Sequence, residues 1–172
     1  FQYFQWNVDK SMELRHNGAL YTVSPWALSW DDENYYLIAY DSTKGIIKHF
    51  RVDKMLHITQ TGRPREGRQV FKAFDTAIYA KKMFGMYGGE EISVRIECDN
   101  SFAGVMIDRF GKDVSIIRID DKRFAVNVEV AVSKQFLAWI IGLGEGVKIV
   151  SPSSVVKMMN DEIDRLIRQY KR

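Results

Sequence analysis

Scarcity narrows the reading before any motif does. The 172-residue chain has one cysteine, Cys98. That excludes an internal disulfide framework and a multi-cysteine zinc site, and it fits a reducing compartment, the cytoplasm. The three histidines, His16, His49 and His57, have no metal-ligand spacing. No run approaches the ~20 apolar residues of a membrane span, and no signal-peptide pattern is present. An excess of one charge is missing too. Twenty-five Lys and Arg against 22 Asp and Glu leave a net charge of +3, compatible with a local anion site and too weak for a bulk nucleic-acid binder. The glycines of GMYGG and IIGLGEG fall at expected helix ends, so a Walker or Rossmann phosphate loop is absent. Ser24 has no base nearby in sequence, and the carboxylates are scattered. No enzyme and no cofactor is expected. The chain does not begin with Met, and Phe1 opens directly in an aromatic run, which reads as a fragment lacking its N-terminal part.

What the chain does have is aromatics, 13% of its residues and densest in the first half. FQYFQWNV, MELRH, ALYTVSPWALSW, YYLIAYD, IIKHFRVDKM and MLHITQT read as short strands separated by tight turns at Asp9-Lys10-Ser11, Asn17-Gly18, Asp31–Asn34 and Thr43-Lys44-Gly45. Pro25 cannot donate to a ladder and marks an edge, bend or bulge. With no intervening helix, this half is a small antiparallel sheet or barrel over 1–62. TGRPREGRQ is a break in pattern, read either as a solvated linker or as a basic contact with nucleic acid. Phe74, Ile78, Tyr79 and Phe84 are spaced for a linking helix of two to three turns that Gly88-Gly89 ends, giving a connecting region over 63–89.

The second half, 90–172, changes character. EISVRIEC alternates Ile92, Val94, Ile96 and Cys98. A helix capped by Asn100 or Ser101 runs to Phe110, followed by strands DVSIIRID and RFAVNVEVA. A second helix starts at Ser133, VKIVSP is a short strand, and a final helix carries Val156, Met159, Ile163, Leu166, Ile167 and Tyr170 on its buried stripe. The order βαββαβ plus a terminal helix is the split-βαβ pattern of ferredoxin-like folds. The fold class expected is α+β.

One strand does not fit a simple core assignment. Strand alternation puts Lys48, Phe50, Val52 and Lys54 of IIKHFRVDKM on one side, and His49, Arg51, Asp53 and Met55 on the other. Neither side is cleanly apolar. Together with Tyr21, Trp26, Trp30, Tyr35 and Tyr36, these cations form the aromatic-plus-basic combination that stacks bases and neutralises phosphates. The plainer alternative is that the aromatics build the core and the cations protect a strand edge. All four cations cannot share a face unless a bulge intervenes.

YTVSPWALSWDDENYYLIAYDSTKGIIKHFRVDKM resembles the WYL domain of bacterial transcriptional regulators. Tyr35-Tyr36-Leu37 stands at the name-giving triplet, with Tyr for the first Trp. Lys48 to Met55 stands at the Arg-x-Phe-Arg-x-Asp-Arg-Ile strand, with Lys for Arg at both ends. LAWIIGLGEGVKIVSP and the last helix resemble the C-terminal extension that accompanies WYL domains. The resemblance implies an Sm-like or SH3-like β-barrel that senses a nucleotide or single-stranded nucleic-acid ligand. It also implies a homodimer that meets duplex DNA through an N-terminal helix-turn-helix domain, which this chain lacks, and no membrane. By the motif, the ligand-binding residues expected are Arg51 first, then Lys48, His49, Lys54, Tyr21, Ser24, Trp26 and Tyr36, with Asp53 as a structural partner. A dimerisation module with no ligand is the alternative.

Overall fold

Aromatic side chains on short strands build the core of the first half, and aliphatic ones on longer strands build that of the second. A computed structural model describes residues 1–72, 75–86 and 90–171, with the side chains of 76–78 left out. It divides into the units Phe1–Tyr79 and Ala80–Arg172.

The first unit holds β1 (Gln2–Trp6), β2 (Met12–Leu14), β3 (Ser24–Asp31), β4 (Asn34–Asp41), β5 (Ile46–Arg51) and β6 (Met55–Leu56). They form two three-stranded antiparallel sheets, ordered β2-β1-β6 and β3-β4-β5. Phe1, Tyr3, Ala39 and Phe50 are buried together, with Tyr21, Val23, Leu37 and Met55 packed against them. Phe50 meets Phe1 and Tyr3 edge-on at 5.1 and 5.6 Å between ring centroids, a geometry worth about 1 kcal/mol per pair beyond the area buried. The register of β3 on β4 shifts between Pro25 and Ala27, so the irregularity expected at the proline is a bulge beside it.

Several local expectations change. Asn17-Gly18 is the end of a tight turn over Arg15–Gly18, in which His16 and Asn17 take left-handed backbone angles, and residues 19–23 form no strand. The basic strand stops at Arg51, and a 3-10 turn over Val52–Lys54 carries the chain into β6. MLHITQT keeps only Met55 and Leu56 as strand. In place of one linking helix there are two short ones, α1 (Arg68–Phe71) and α2 (Thr76–Lys82). Phe74, Gly88, Gly89 and the side chain of Ile78 lie outside the described residues.

The second unit runs β7 (Glu91–Asp99), α3 (Ala103–Phe110), β8 (Ile116–Arg118), β9 (Arg123–Ala131), α4 (Lys134–Gly142), β10 (Val147–Ser151) and α5 (Ser153–Tyr170). Its four strands pair antiparallel in the order β10-β7-β9-β8, the ferredoxin-like arrangement with an added terminal helix. The alternation seen in sequence becomes the core: Val94, Ile96 and Cys98 of β7 and Phe124, Val126, Val128 and Val130 of β9 are buried against Met106, Phe136, Leu137 and Ile140. Ser133 caps α4 by accepting from the Phe136 N–H at 3.3 Å. Asn100 and Ser101 do not cap α3. They lie in a 3-10 turn before it, and the Asn100 amide donates to the Asp121 carbonyl at 2.9 Å. Along α5, Val155 is fully buried and Val156 and Met159 pack on the core. The expected stripe then surfaces, with Ile163, Ile167 and Tyr170 exposed by 42%, 45% and 76%. Among the described residues, no helix is long and apolar enough to cross a membrane.

Candidate functional site

Strand pairing decides which candidate residues meet. Across β3, β4 and β5 the partners run in rows: Ser29–Tyr36–Arg51, Ala27–Ile38–His49, and Ser24–Tyr40–Ile47. Directly opposed residues of an antiparallel pair share a face, so these rows make one face of the sheet. The other face carries Leu37, Ala39 and Phe50 into the aromatic core. His49 and Arg51 therefore lie with Tyr36 on the outer face. Lys48 lies on the core side, diagonal to Asp41, and Lys54 is on the 3-10 turn beyond the strand. The four cations do not converge.

Each is held differently. Arg51 donates from Nε and Nη2 to the two oxygens of Asp53, at 3.1 and 2.8 Å. This bidentate bond raises the affinity of the guanidinium for its proton and lowers that of the Asp53 carboxyl. The pair is open to solvent, with the Arg51 side chain 32% exposed. The Arg51 backbone N–H donates to the Tyr3 hydroxyl at 3.0 Å, and burial raises the pKa of that phenol. His49 Nε2 lies 3.0 Å from the Tyr79 hydroxyl. Lys48 Nζ donates to Asp41 Oδ2 at 2.6 Å. Asp41 is buried, and its other oxygen accepts from the backbone N–H groups of Thr43 and Lys44 and from the Thr43 hydroxyl. With so many donors around it, the Asp41 carboxyl is held down to about 2, the Lys48 hydrogen bond being the largest cause.

Tyr21 belongs to the core, stacked on Phe1 at 5.5 Å with the rings 8° apart. Ser24 and Trp26 serve the segment that the sequence presented as a linker. Ser24 Oγ accepts from the Glu66 N–H at 2.8 Å, and the Trp26 indole donates to the Glu66 carbonyl at 2.8 Å. Trp26 also stacks on Phe71 at 4.8 Å, while the Arg65 guanidinium sits 4.5 Å above its ring and donates to the Pro25 carbonyl at 3.3 Å. Residues 65–71 are thus clamped on β3. Sequence reading passed over Ser29 and Tyr40 on the outer face; the register of β3 on β4, with its bulge, is what places them there.

Among the described residues no group of His, Cys, Asp and Glu could hold a metal ion. At the end of this face where Arg51 reaches solvent, the Ser29 and Tyr36 hydroxyls, the Tyr36 ring and the guanidinium suit binding of an anionic, planar group, while midway along the face Ile38 is fully buried.

Comparison with known proteins follows the same division. The WYL domain model matches residues 1–60, and the WCX domain model matches residues 90–167. No curated protein matches the chain. Among solved structures, proteasome accessory factor B/C (PafBC) of Arthrobacter aurescens aligns over 99% of this chain and 25% of its own, at 19% identity and a TM-score of 0.42. The chain therefore spans a quarter of that protein's length. Two domain models in tandem, matched over the strands and helices just described, show that the chain carries a WYL domain followed by a WCX domain.

Proposed function

We propose that the chain is the ligand-sensing, regulatory part of a bacterial transcription regulator. It takes a nucleotide or single-stranded nucleic acid on the outer face of β3-β4-β5 and modulates an attached DNA-binding domain. The reading includes no catalytic step, a homodimer, duplex DNA reached through a helix-turn-helix domain, and a cytoplasmic setting. The observation that carries it is the row Ser29–Tyr36–Arg51: hydroxyls, an aromatic ring and a guanidinium lie side by side on a face turned away from the core. Arg51 is fixed in plane by Asp53 and open to solvent, so its free edge can meet a phosphate with little further ordering.

Fluorescence anisotropy of a labelled hexathymidylate at low salt tests the reading. Arg51→Ala weakens binding and flattens the slope of log K against log salt by ~0.7, the contribution of one phosphate contact on a single strand. Unchanged affinity in Arg51→Ala sinks the assignment.

A second reading, a dimerisation module with no ligand, has its own support: Lys48 and Arg51 are each already paired with a carboxylate of the chain. It predicts no hexathymidylate binding at any salt concentration and a stable dimer in native mass spectrometry.

A further inference from the structure

We propose that the clamped segment Arg65–Gln69 forms a second anion site, separate from the Arg51 face, that takes the phosphate of a nucleotide or of a single-stranded oligonucleotide. A concavity of about 320 Å³ opens there, lined by Tyr40, Ser42 and the segment Arg65–Gln69. Its size is at the small end of ligand pockets and suits a phosphate or a mononucleotide.

Three features mark it as a built site. First, the segment is fixed before any ligand arrives. Both backbone polar groups of Glu66 are used by Ser24 and Trp26, and the Arg65 guanidinium is stacked on Trp26 with one N–H on the Pro25 carbonyl. Second, Gly67 sits at a φ of +84°, where a Cβ would fall 2.6 Å from Cγ of Tyr40. Only glycine lets the chain lie this close to the ring between Arg65 and Arg68, which both line the concavity. Third, the charges differ from those of the basic strand. Lys48 and Arg51 have carboxylate partners, whereas among the described residues neither Arg65 nor Arg68 has one within ion-pair distance. Two guanidiniums, the Ser42 hydroxyl and the Gln69 amide give donors enough for a phosphate, against the single carboxylate of Glu66.

The two sites are distinct. Tyr40 and Tyr36 lie on the same face of β4, four residues or ~13 Å apart, and the fully buried Ile38 separates them. Their failures can therefore be told apart.

The test titrates the full chain with labelled hexathymidylate and, by calorimetry, with thymidine monophosphate and inorganic phosphate. The variants are Arg68→Gln, which touches no clamp contact, Arg65→Gln, and Arg51→Ala. The expected result is a loss of about fivefold or more in both Arg65→Gln and Arg68→Gln, with a salt slope flatter by ~0.7 for each phosphate contact removed. If thymidine monophosphate competes, the source is a free nucleotide; if only the oligonucleotide binds, it is a strand. Loss in Arg51→Ala with both arginine-to-glutamine variants unchanged overturns this site and leaves the Arg51 reading standing. Loss in the glutamine variants with Arg51→Ala unchanged does the reverse. No binding by any of the three probes overturns both.

Discussion

Tyr36 and Arg51 face each other across β4 and β5, and Lys48, three residues before Arg51, points to the opposite side of the sheet. One strand thus splits its cations between two tasks. Arg51 is presented to solvent and Lys48 neutralises the buried Asp41.

Asp53 competes with any external anion for the Arg51 guanidinium. Asp53→Asn removes that competition, so hexathymidylate binding tightens by about threefold. Stability changes by less than about 1 kcal/mol, because an exposed ion pair contributes little. Anisotropy titration and urea denaturation of the same variant check both halves.

Asp41 ties the Thr43-Lys44-Gly45 turn to Lys48, and Asp41→Asn is expected to cost about 2 kcal/mol in urea denaturation at pH 7. The carboxyl is held at about 2 in the fold and returns to its ordinary value near 3.9 in the unfolded chain. The unfolded state therefore binds the proton more readily. The stabilisation is complete above about pH 5 and is lost as pH falls toward 2. The stability gap between the wild type and Asp41→Asn should narrow over that window.

Trp26 holds residues 65–71 through its ring and its indole N–H. Trp26→Ala is expected to speed tryptic cleavage after Arg65 or Arg68 by about tenfold, since each 1.4 kcal/mol of lost anchoring raises the open population tenfold. Mass spectrometry of the early fragments reads this out. Cleavage no faster than in the wild type would show that the clamp does not order the segment.

On α5, burial divides the apolar stripe. Val155→Ala should cost about 2 kcal/mol, while Ile167→Ala and Tyr170→Ala should each cost less than about 0.5 kcal/mol. Thermal denaturation separates the two classes.

Cys98 is buried, and burial pushes its thiol up to about 11. Iodoacetamide at pH 8 should leave it unmodified in the native protein and alkylate it once urea unfolds the second unit. Mass spectrometry before and after urea measures the difference.

The second unit was the more legible half. Ile92–Cys98 and Phe124–Val130 alternate apolar and polar residues because one face of each strand is buried, so their pattern states their orientation. The first unit resisted for a physical reason: its aromatics serve the core, as Tyr21 does, and the clamp, as Trp26 does, and both uses look alike in sequence. The end of the basic strand is not legible in the sequence, since a 3-10 turn at Val52–Lys54 breaks the period-two count that would place Lys54. Trp26 and Arg65 are 39 positions apart with no periodicity linking them, and their stacking depends on a fold that no local pattern encodes.

The strand order of the second unit bears on when that unit can form. β7 is flanked by β9 and by β10, whose last residue is Ser151, so the central strand lacks one neighbour until most of the chain has been made. The meander β3-β4-β5 needs nothing beyond Arg51. Local pairings close faster than distant ones. During synthesis, the sheet bearing the Tyr36–Arg51 pair can therefore assemble while the apolar face of β7 still waits for its cover.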